Sequence, residues 1–405
     1  MRMIMEHLEG GYSTAALARR YGVSRKTVHK WIKRHEQEPW EGLQERSRAP
    51  QHQAREFSEA MVRQILALKT RWSLWGAPKL HHKLRELVGE AHCPSESTVS
   101  NILKRHGLTQ APRRRRRAQG TGPLDHAHAP NQVWCADFKG WFLTGDGRRC
   151  QPLTITDASS RYLLRCVGLD QSTGWRVVRP LFEAAFREYG LPRAMRTDNG
   201  APFGSTGLCG LTPLSVWWLK LGIEVERIMP GHPEQNGRHE RMHRTLKQAT
   251  ANPPCRNLRA QQQAFEAFRE QYNQERPHEA LNFAVPAACY EVSARPYPER
   301  RLPPLEYPDE WQSRSVRQRG QIGWAGKNVP LTKALWGERV GLRPVGDGRW
   351  EVYFGKMLLG LFDERTLQVA PLKRKHHPPG APEVEEPSVA LRSTDGSSTS
   401  INPQP

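Results

Sequence analysis

The stretch VWCADFKGWFLTGDGRRCQPLTITDASSRYLLRCVGL, residues 133–169, decides the fold. Its runs Val133–Phe142, Cys150–Thr156 and Arg161–Leu169 are rich in aromatic and branched residues, and Gly145-Asp146-Gly147 and Ala158-Ser159-Ser160 separate them. That pattern predicts three strands in a meander. Downstream, a helical period over Gly174–Tyr189 stops at Gly190-Leu191-Pro192. A short strand follows at Arg193–Thr197, then a helix at Pro213–Leu221, a strand at Ile223–Ile228 and a helix beginning near Gln235. A long helix around Leu258–Glu275 closes the segment. Three strands followed by alternating helix and strand make a mixed α/β sheet domain.

Upstream, Ser13–Arg34 holds two short helical patterns parted by Gly22-Val23-Ser24, with Ser13 and Ser24 placed as N-caps. Leu17, Val23, Val28 and Ile32, with Trp31 beside them, would share a small core, the pattern of an all-α helix-turn-helix. Its second helix offers Arg25, Lys26, Thr27, His29, Lys30 and Lys33 to a DNA groove. A second helical unit over about Ser58–Leu108, expected to be winged helix-like, ends in a helix started by Pro94 and Ser95. The exposed side of that helix would carry Ser97, Thr98, Asn101, Lys104 and Arg105, a second groove reader. Five consecutive arginines, Arg113, Arg114, Arg115, Arg116 and Arg117, cannot pack; they suit a phosphate backbone, though a solvated linker would look the same. Toward the C-terminus, alternation between Gly-rich turns predicts a small β-barrel. The domain plan is therefore 1–45 helix-turn-helix, 55–110 second helical unit, 111–125 Arg-rich linker, 126–295 α/β core, 315–372 barrel and 373–405 disordered tail.

The formal charge is +20, from 61 Lys+Arg against 41 Asp+Glu, and residues 1–120 alone hold 24 Lys+Arg, 11 Glu and no Asp. A polyanion is the expected partner, and the charge is concentrated where double-stranded DNA would be held. No basic amphipathic helix with an aromatic face accompanies it, so a membrane is not expected. Seven Cys, never spaced C-x-x-C, indicate neither a disulfide framework nor a zinc cluster. With no run of about 18 apolar residues and no leader pattern, a soluble, intracellular protein is expected.

Three carboxylates stand out in the α/β segment. Asp137 sits inside the first strand among Trp134, Phe138 and Trp141, where a carboxylate is costly unless it is paired or binds a cation. Asp198 follows a short strand in Thr197-Asp198-Asn199-Gly200, at the strand end where open α/β sheets place ligands. Glu240 falls on the helix after Gly231–Gly237, with Arg244 and Lys247 four and seven residues on, along one face. Acids from three elements suit two divalent metal ions clamping the attacking and leaving oxygens of a phosphoryl transfer, while the two cations hold DNA backbone. Taken singly, the Asp198 segment reads equally as a turn and Glu240 with Arg244 as a helix-stabilising pair. Asp157 reads as a turn cap. His239 and His243 read as exposed or DNA-contacting and not as a zinc site.

Asn131–Lys139, Arg196–Gly200 and His232–Met242 resemble the three signature blocks of the retroviral-integrase-like DDE transposases. Tyr272-Asn273 and Arg276-Pro277-His278 are similar to that family's bacterial insertion-sequence branch, nearest the group numbered 481. The resemblance covers about residues 10–372. It implies a ribonuclease-H-like integrase catalytic core using two Mg²⁺ or Mn²⁺ ions, with Asp137 bridging both and Asp198 and Glu240 holding one each. It also implies cleavage of a phosphodiester at the element's end and transfer of the freed 3′-OH into target DNA, by a homo-oligomer on DNA. Two departures matter. The commonest family spacing selects Glu234, but Glu234 follows Pro233 in a loop whereas Glu240 is on a helix, so Glu240 is preferred, with Gly204–Leu214 as the lengthening insertion. The zinc-binding module of retroviral relatives is absent. The alternatives from other classes are a catalytically inactive, sequence-specific DNA-binding regulator and a plain metal-dependent nuclease.

Overall fold

The structure, a computed structural model, describes residues 1–44, 57–109, 127–170, 172–228, 237–299 and 302–371. The chain divides into two compact units, Met1–Gln64 and Ile65–Pro405. The expected Arg113–Arg117 linker and the tail from residue 373 lie outside the described residues.

The smaller unit contains α1 (Arg2–Leu8), α2 (Thr14–Arg20) and α3 (Arg25–Gln37). Ser13 Oγ accepts from the Ala16 N–H and Ser24 Oγ from the Thr27 N–H, which satisfies amides that a helix start leaves open. Leu17, Ala18 and Val28 are buried, with Met3, Tyr21 and Ile32 packed on them. Val23 is not in this core: it is 37% exposed, turned outward after Gly22, whose positive φ of 64° makes the tight turn. Its place is taken from α1, a helix that the sequence reading left out. Ile4 is buried there, and the Tyr21 hydroxyl donates to Glu6 at 2.9 Å.

The larger unit begins within α4 (Glu59–Arg71) and continues through α5 (Ala77–Val88) and α6 (Glu96–Arg105), the last capped by Ser95. Their inner faces bury Ile65 and Leu68, Leu80 and Leu84, and Val99, Ile102 and Leu103. Among the described residues 57–109 there is no strand, so the expected wing is missing; this stretch lacks the alternation that a hairpin needs.

Next comes a six-stranded sheet of β1 (Val133–Phe138), β2 (Phe142–Leu143), β3 (Arg149–Asp157), β4 (Leu163–Leu169), β5 (Ala194–Thr197) and β6 (Glu224–Arg227), in the order β2-β3-β1-β5-β6 with β4 also on β3. The meander β1-β3-β4 is antiparallel, while β1-β5 and β5-β6 are parallel. Helices α7 (Trp175–Tyr189) and α8 (Pro213–Lys220) cover one face, where Trp134, Ala136, Leu153, Ile155, Phe182 and Trp218 form the main core. Helices α9 (Gly237–Thr250) and α10 (Leu258–Gln274) cover the other through Cys150, Cys166, Met242, Leu246 and Phe265. Because side chains alternate along a strand, Asp137 belongs with Val133 and Cys135 on the face away from Trp134, and Thr154 and Thr156 on the face away from Leu153 and Ile155.

The C-terminal part is antiparallel and β-rich. Strands β7 (Gln312–Ser315), β10 (Arg339–Gly346), β11 (Arg349–Phe354), β12 (Met357–Asp363) and β13 (Gln368–Ala370) form one sheet ordered β13-β12-β11-β10-β7, and β8 (Gln321–Trp324) pairs with β9 (Lys327–Pro330). The two sheets share a core of Ile322, Val329, Val340, Val352, Phe354 and Phe362. The hydrogen-bonded order has open ends at β13 and β7, so the region expected to be a barrel is met as a sheet and a ribbon around one core. The lengthening segment after Asp198 joins that core: Leu211 is buried in it, Leu208 and Cys209 pack on it, and Cys209 Sγ donates to the Leu359 carbonyl at 3.1 Å.

Candidate active site

Parallel pairing aligns Ala136 of β1 with Thr197 of β5, so the next residue of each strand, Asp137 and Asp198, emerges at the same level of the sheet. The Asp198 loop is held from both sides. Asp198 Oδ1 accepts from the Gly200 N–H at 3.2 Å, and Asn199 Nδ2 donates to the Ile228 carbonyl at 2.8 Å. Gly204 folds back so closely that a Cβ there would collide with the Asn199 carbonyl. Glu240 stands exposed in the first turn of α9.

Asp137 senses both of the other acids. Burial pushes the Asp137 carboxyl up to about 7, and the charges of Asp198 and Glu240 push in the same direction. Burial also raises Asp198, opposed by the Gly200 N–H and Arg227. Hard oxygen donors whose charges oppose the ionisation of Asp137 are a donor set that a divalent cation would relieve.

His239 and His243 are not exposed as expected; each is 2% exposed, beneath Asp137. The i, i+4 spacing turns both rings toward β3. Thr154 Oγ1 lies 2.6 Å from the Nε2 of each, Thr156 Oγ1 lies 3.0 Å from His239 Nδ1, and His243 Nδ1 lies 3.7 Å from Asp137 Oδ2. A threonine hydroxyl has one proton to give. If Thr154 gives it to His243 Nε2, the His239 Nε2–H donates to Thr154, the Thr156 hydroxyl donates to His239 Nδ1, and the His243 Nδ1–H is left pointing at Asp137. This order keeps both rings neutral, in line with burial, which pushes His239 down to about 3 and lowers His243 with help from His239. Ligand atoms of Asp137, His239 and His243 lie within 4.8 Å of one another. His243 thus lies against the acid, and His239 is linked to it through Thr154. The signal for them was available in their helical spacing opposite alternating threonines.

The other expected site residues are spread over several elements. On α3, Arg25, Lys26, His29, Lys30 and Lys33 are exposed, whereas Thr27 is half-buried with its hydroxyl 2.9 Å from Ser24 Oγ at the cap. Asn101, Lys104 and Arg105 are exposed on α6, and Arg244 and Lys247 on α9. Arg113–Arg117 and Glu234 lie outside the described residues. Asp157 is a turn cap, accepting from the Ser160 N–H and hydroxyl and from the Asn131 N–H.

Family models of the integrase core domain match residues 127–233 and 221–286, and that of the IS481 family transposase C-terminal domain matches 311–370. A homeodomain-like model matches 27–103 and a helix-turn-helix model 1–51. The chain is 30% identical over 235 residues to the IS407 insertion-element 31.7 kDa protein of Burkholderia multivorans, covering 57% of this chain and 80% of that one. It is 34% identical over 160 residues to the IS476 insertion-element 39.2 kDa protein of Xanthomonas euvesicatoria, 39% of this chain and 44% of the relative. Among solved structures, a chain of the simian T-cell lymphotropic virus intasome has a TM-score of 0.34 at 18% identity, covering 73% of this chain and 97% of that one. The BIV integrase catalytic core has a TM-score of 0.30 at 18% identity, over 40% and 93%.

Proposed function

This chain belongs to the integrase-core transposases of bacterial insertion elements, and from that premise we propose that Asp137, Asp198 and Glu240 are the acids with which it cuts element ends and joins them to target DNA. The observation that carries the assignment is the convergence of the three charges: parallel strands set Asp137 beside Asp198, and Glu240 acts on the same Asp137 carboxyl. These acids would hold two Mg²⁺ or Mn²⁺ ions, which supply Lewis acidity and a nucleophile at neutral pH.

The chain's own side chains bind and orient. His243, itself fixed by Thr154, holds Asp137 in one rotamer; Arg244 and Lys247, on the same face of α9 as Glu240, grip the backbone on either side of the bond to be broken. Water attacks a phosphodiester at the element's end and breaks one P–O bond, releasing a 3′-OH. That hydroxyl attacks a target phosphodiester, again exchanging one P–O bond for another. The exposed faces of α3 and α6, with Arg113–Arg117, select and hold the DNA, and the protein works as a homo-oligomer that brings two ends together. Residues 1–45 and 55–110 are the DNA readers, 126–295 the cutting core and 315–372 an accessory unit.

The test is nicking of labelled end DNA by the purified full chain with Mg²⁺ or Mn²⁺. Asp198→Asn and Glu240→Gln should each abolish it. Nicking that survives Asp198→Asn would sink the assignment, and activity lost in Glu234→Gln but kept in Glu240→Gln would move the third acid to Glu234.

A further inference from the structure

A cavity of about 410 Å³ opens on the larger unit where α5, α9 and the segment after α10 meet. Six cations line it: Lys79, Arg161, Arg238, Arg241, Arg244 and Arg276; among the described residues, Glu279 is the one acid in its wall. That acid is 3.7 Å from Lys79, whose ammonium also donates to the Pro277 carbonyl at 2.5 Å, so it offsets at most one of the six charges. Arg161 Nε and His278 Nε2 are buried with no hydrogen-bond partner among the described residues.

Crowded cations of this kind cost folding energy unless an anion completes them. The strain is visible in the titrating groups. Burial lowers Lys79 to about 8, with Arg276 adding to it, and lowers Arg161 to about 10, with Arg238 adding to it. It also lowers His278 to about 3, where Lys79, Arg276 and Arg161 all push the same way. Beside the guanidinium groups, Met242 and Tyr272 add apolar lining. A site lined by forked donors together with some apolar surface suits a phosphodiester with its sugar. Arg238, Arg241 and Arg244 leave the same helix as Glu240, so the cavity lies within about 10–12 Å of the acids, roughly a helix diameter.

We propose that this cavity is a phosphate-binding site for one backbone phosphate of the bound DNA, gripping the strand a short distance from the bond that is cut. The proposal rests on the reading of the chain as a protein that acts on DNA. Occupied, it ties α5, and with it the second helical unit, to the helix that carries Glu240.

The test uses the full chain. Duplex DNA binding is followed by fluorescence anisotropy across a KCl series for the parent, Arg276→Gln, Arg241→Gln and Thr245→Glu, the last placing an acid at the half-buried lip. Each variant should bind more weakly, with the slope of log affinity against log salt smaller by about 1. Arg276 and Thr245 are partly buried, so thermal melting of every variant is run alongside; Arg241 is exposed and keeps the comparison valid if either of the other two melts early. Inorganic phosphate, at matched ionic strength, should raise the melting temperature of the parent more than that of Thr245→Glu. An unchanged slope in well-folded Arg241→Gln and Thr245→Glu overturns the proposal. Phosphate protection with an unchanged slope also overturns it, in favour of a free phosphate ligand. A pocket-dependent slope in a protein that fails to nick end DNA supports the pocket and removes the catalytic reading; nicking with a pocket-independent slope removes the pocket alone.

Discussion

Replacing Asp137 by Asn is expected to stabilise the metal-free protein at pH 8. The carboxyl rises from its ordinary 3.8 to about 7 in the fold, first through burial and then through Asp198. The folded chain therefore holds a proton that the unfolded chain has released between about pH 4 and 7, and the benefit is lost as pH rises through about 7. Each tenfold change in proton affinity is worth about 1.36 kcal/mol, so at pH 8 the ionised Asp137 costs the fold about 4 kcal/mol, which Asn removes. At pH 5.5 the cost is about half as large, so the gain should shrink to match. The buried neutral His239 and His243 act in the opposite direction, weakening the fold as pH falls; His239 is common to both proteins, whereas His243 lies 3.7 Å from Asp137, so the difference is taken at pH 5.5 and above, where both rings stay neutral. Urea unfolding read by tryptophan fluorescence measures it, because Trp134 is buried in the same strand. Added Mg²⁺ should raise the stability of the parent and leave Asp137→Asn unchanged. A variant no more stable than the parent at pH 8, or a gain that is the same at pH 8 and 5.5, would refute the reasoning.

Two further outcomes follow from packing. Gly204→Ala drives a methyl group into the Asn199 backbone, so it should cost about 1–3 kcal/mol of stability and, by displacing Asp198, about 100-fold in nicking rate; nicking at the parental rate would show that the loop does not position Asp198. Glu275 accepts from Trp72 Nε1 at 2.9 Å and from Arg71 at 3.2 Å. Glu275→Ala leaves the buried indole N–H unsatisfied and should lower stability by about 1–3 kcal/mol in urea unfolding, with Glu275→Gln recovering most of it; an Ala variant as stable as the parent would contradict the contact.

Local chemistry was the most legible part of the sequence. Ser13, Ser24 and Ser95 cap the helices that they were expected to start, because a cap needs only its own side chain and the next turn. The strands of the meander that carries Asp137 were legible for a similar reason: aromatic and branched runs between turn residues have few other uses. What escaped depends on partners distant in sequence. Helix α1 is 7 residues long with no side-chain cap, so its signal is its contact with Tyr21. His239 and His243 read as surface residues until β3 supplies Thr154 and Thr156. Arg276, Arg161 and Lys79 lie on three elements, and only folding makes a cavity of them. Leu208, Cys209 and Leu211, in the interval between Asp198 and Glu240, pack on the C-terminal core, a contact that no local pattern announces.

Those residues have a mechanical consequence. Only a short tether separates Asp198 from Leu208, Cys209 and Leu211, and the far end of that tether is anchored among the C-terminal strands. A push on that sheet is therefore expected to reach the acid through the chain at Gly204. Deleting the C-terminal region would strip the anchor from the lever and expose Leu211, so lost cutting in such a truncation reports a slackened acid as much as a missing DNA contact.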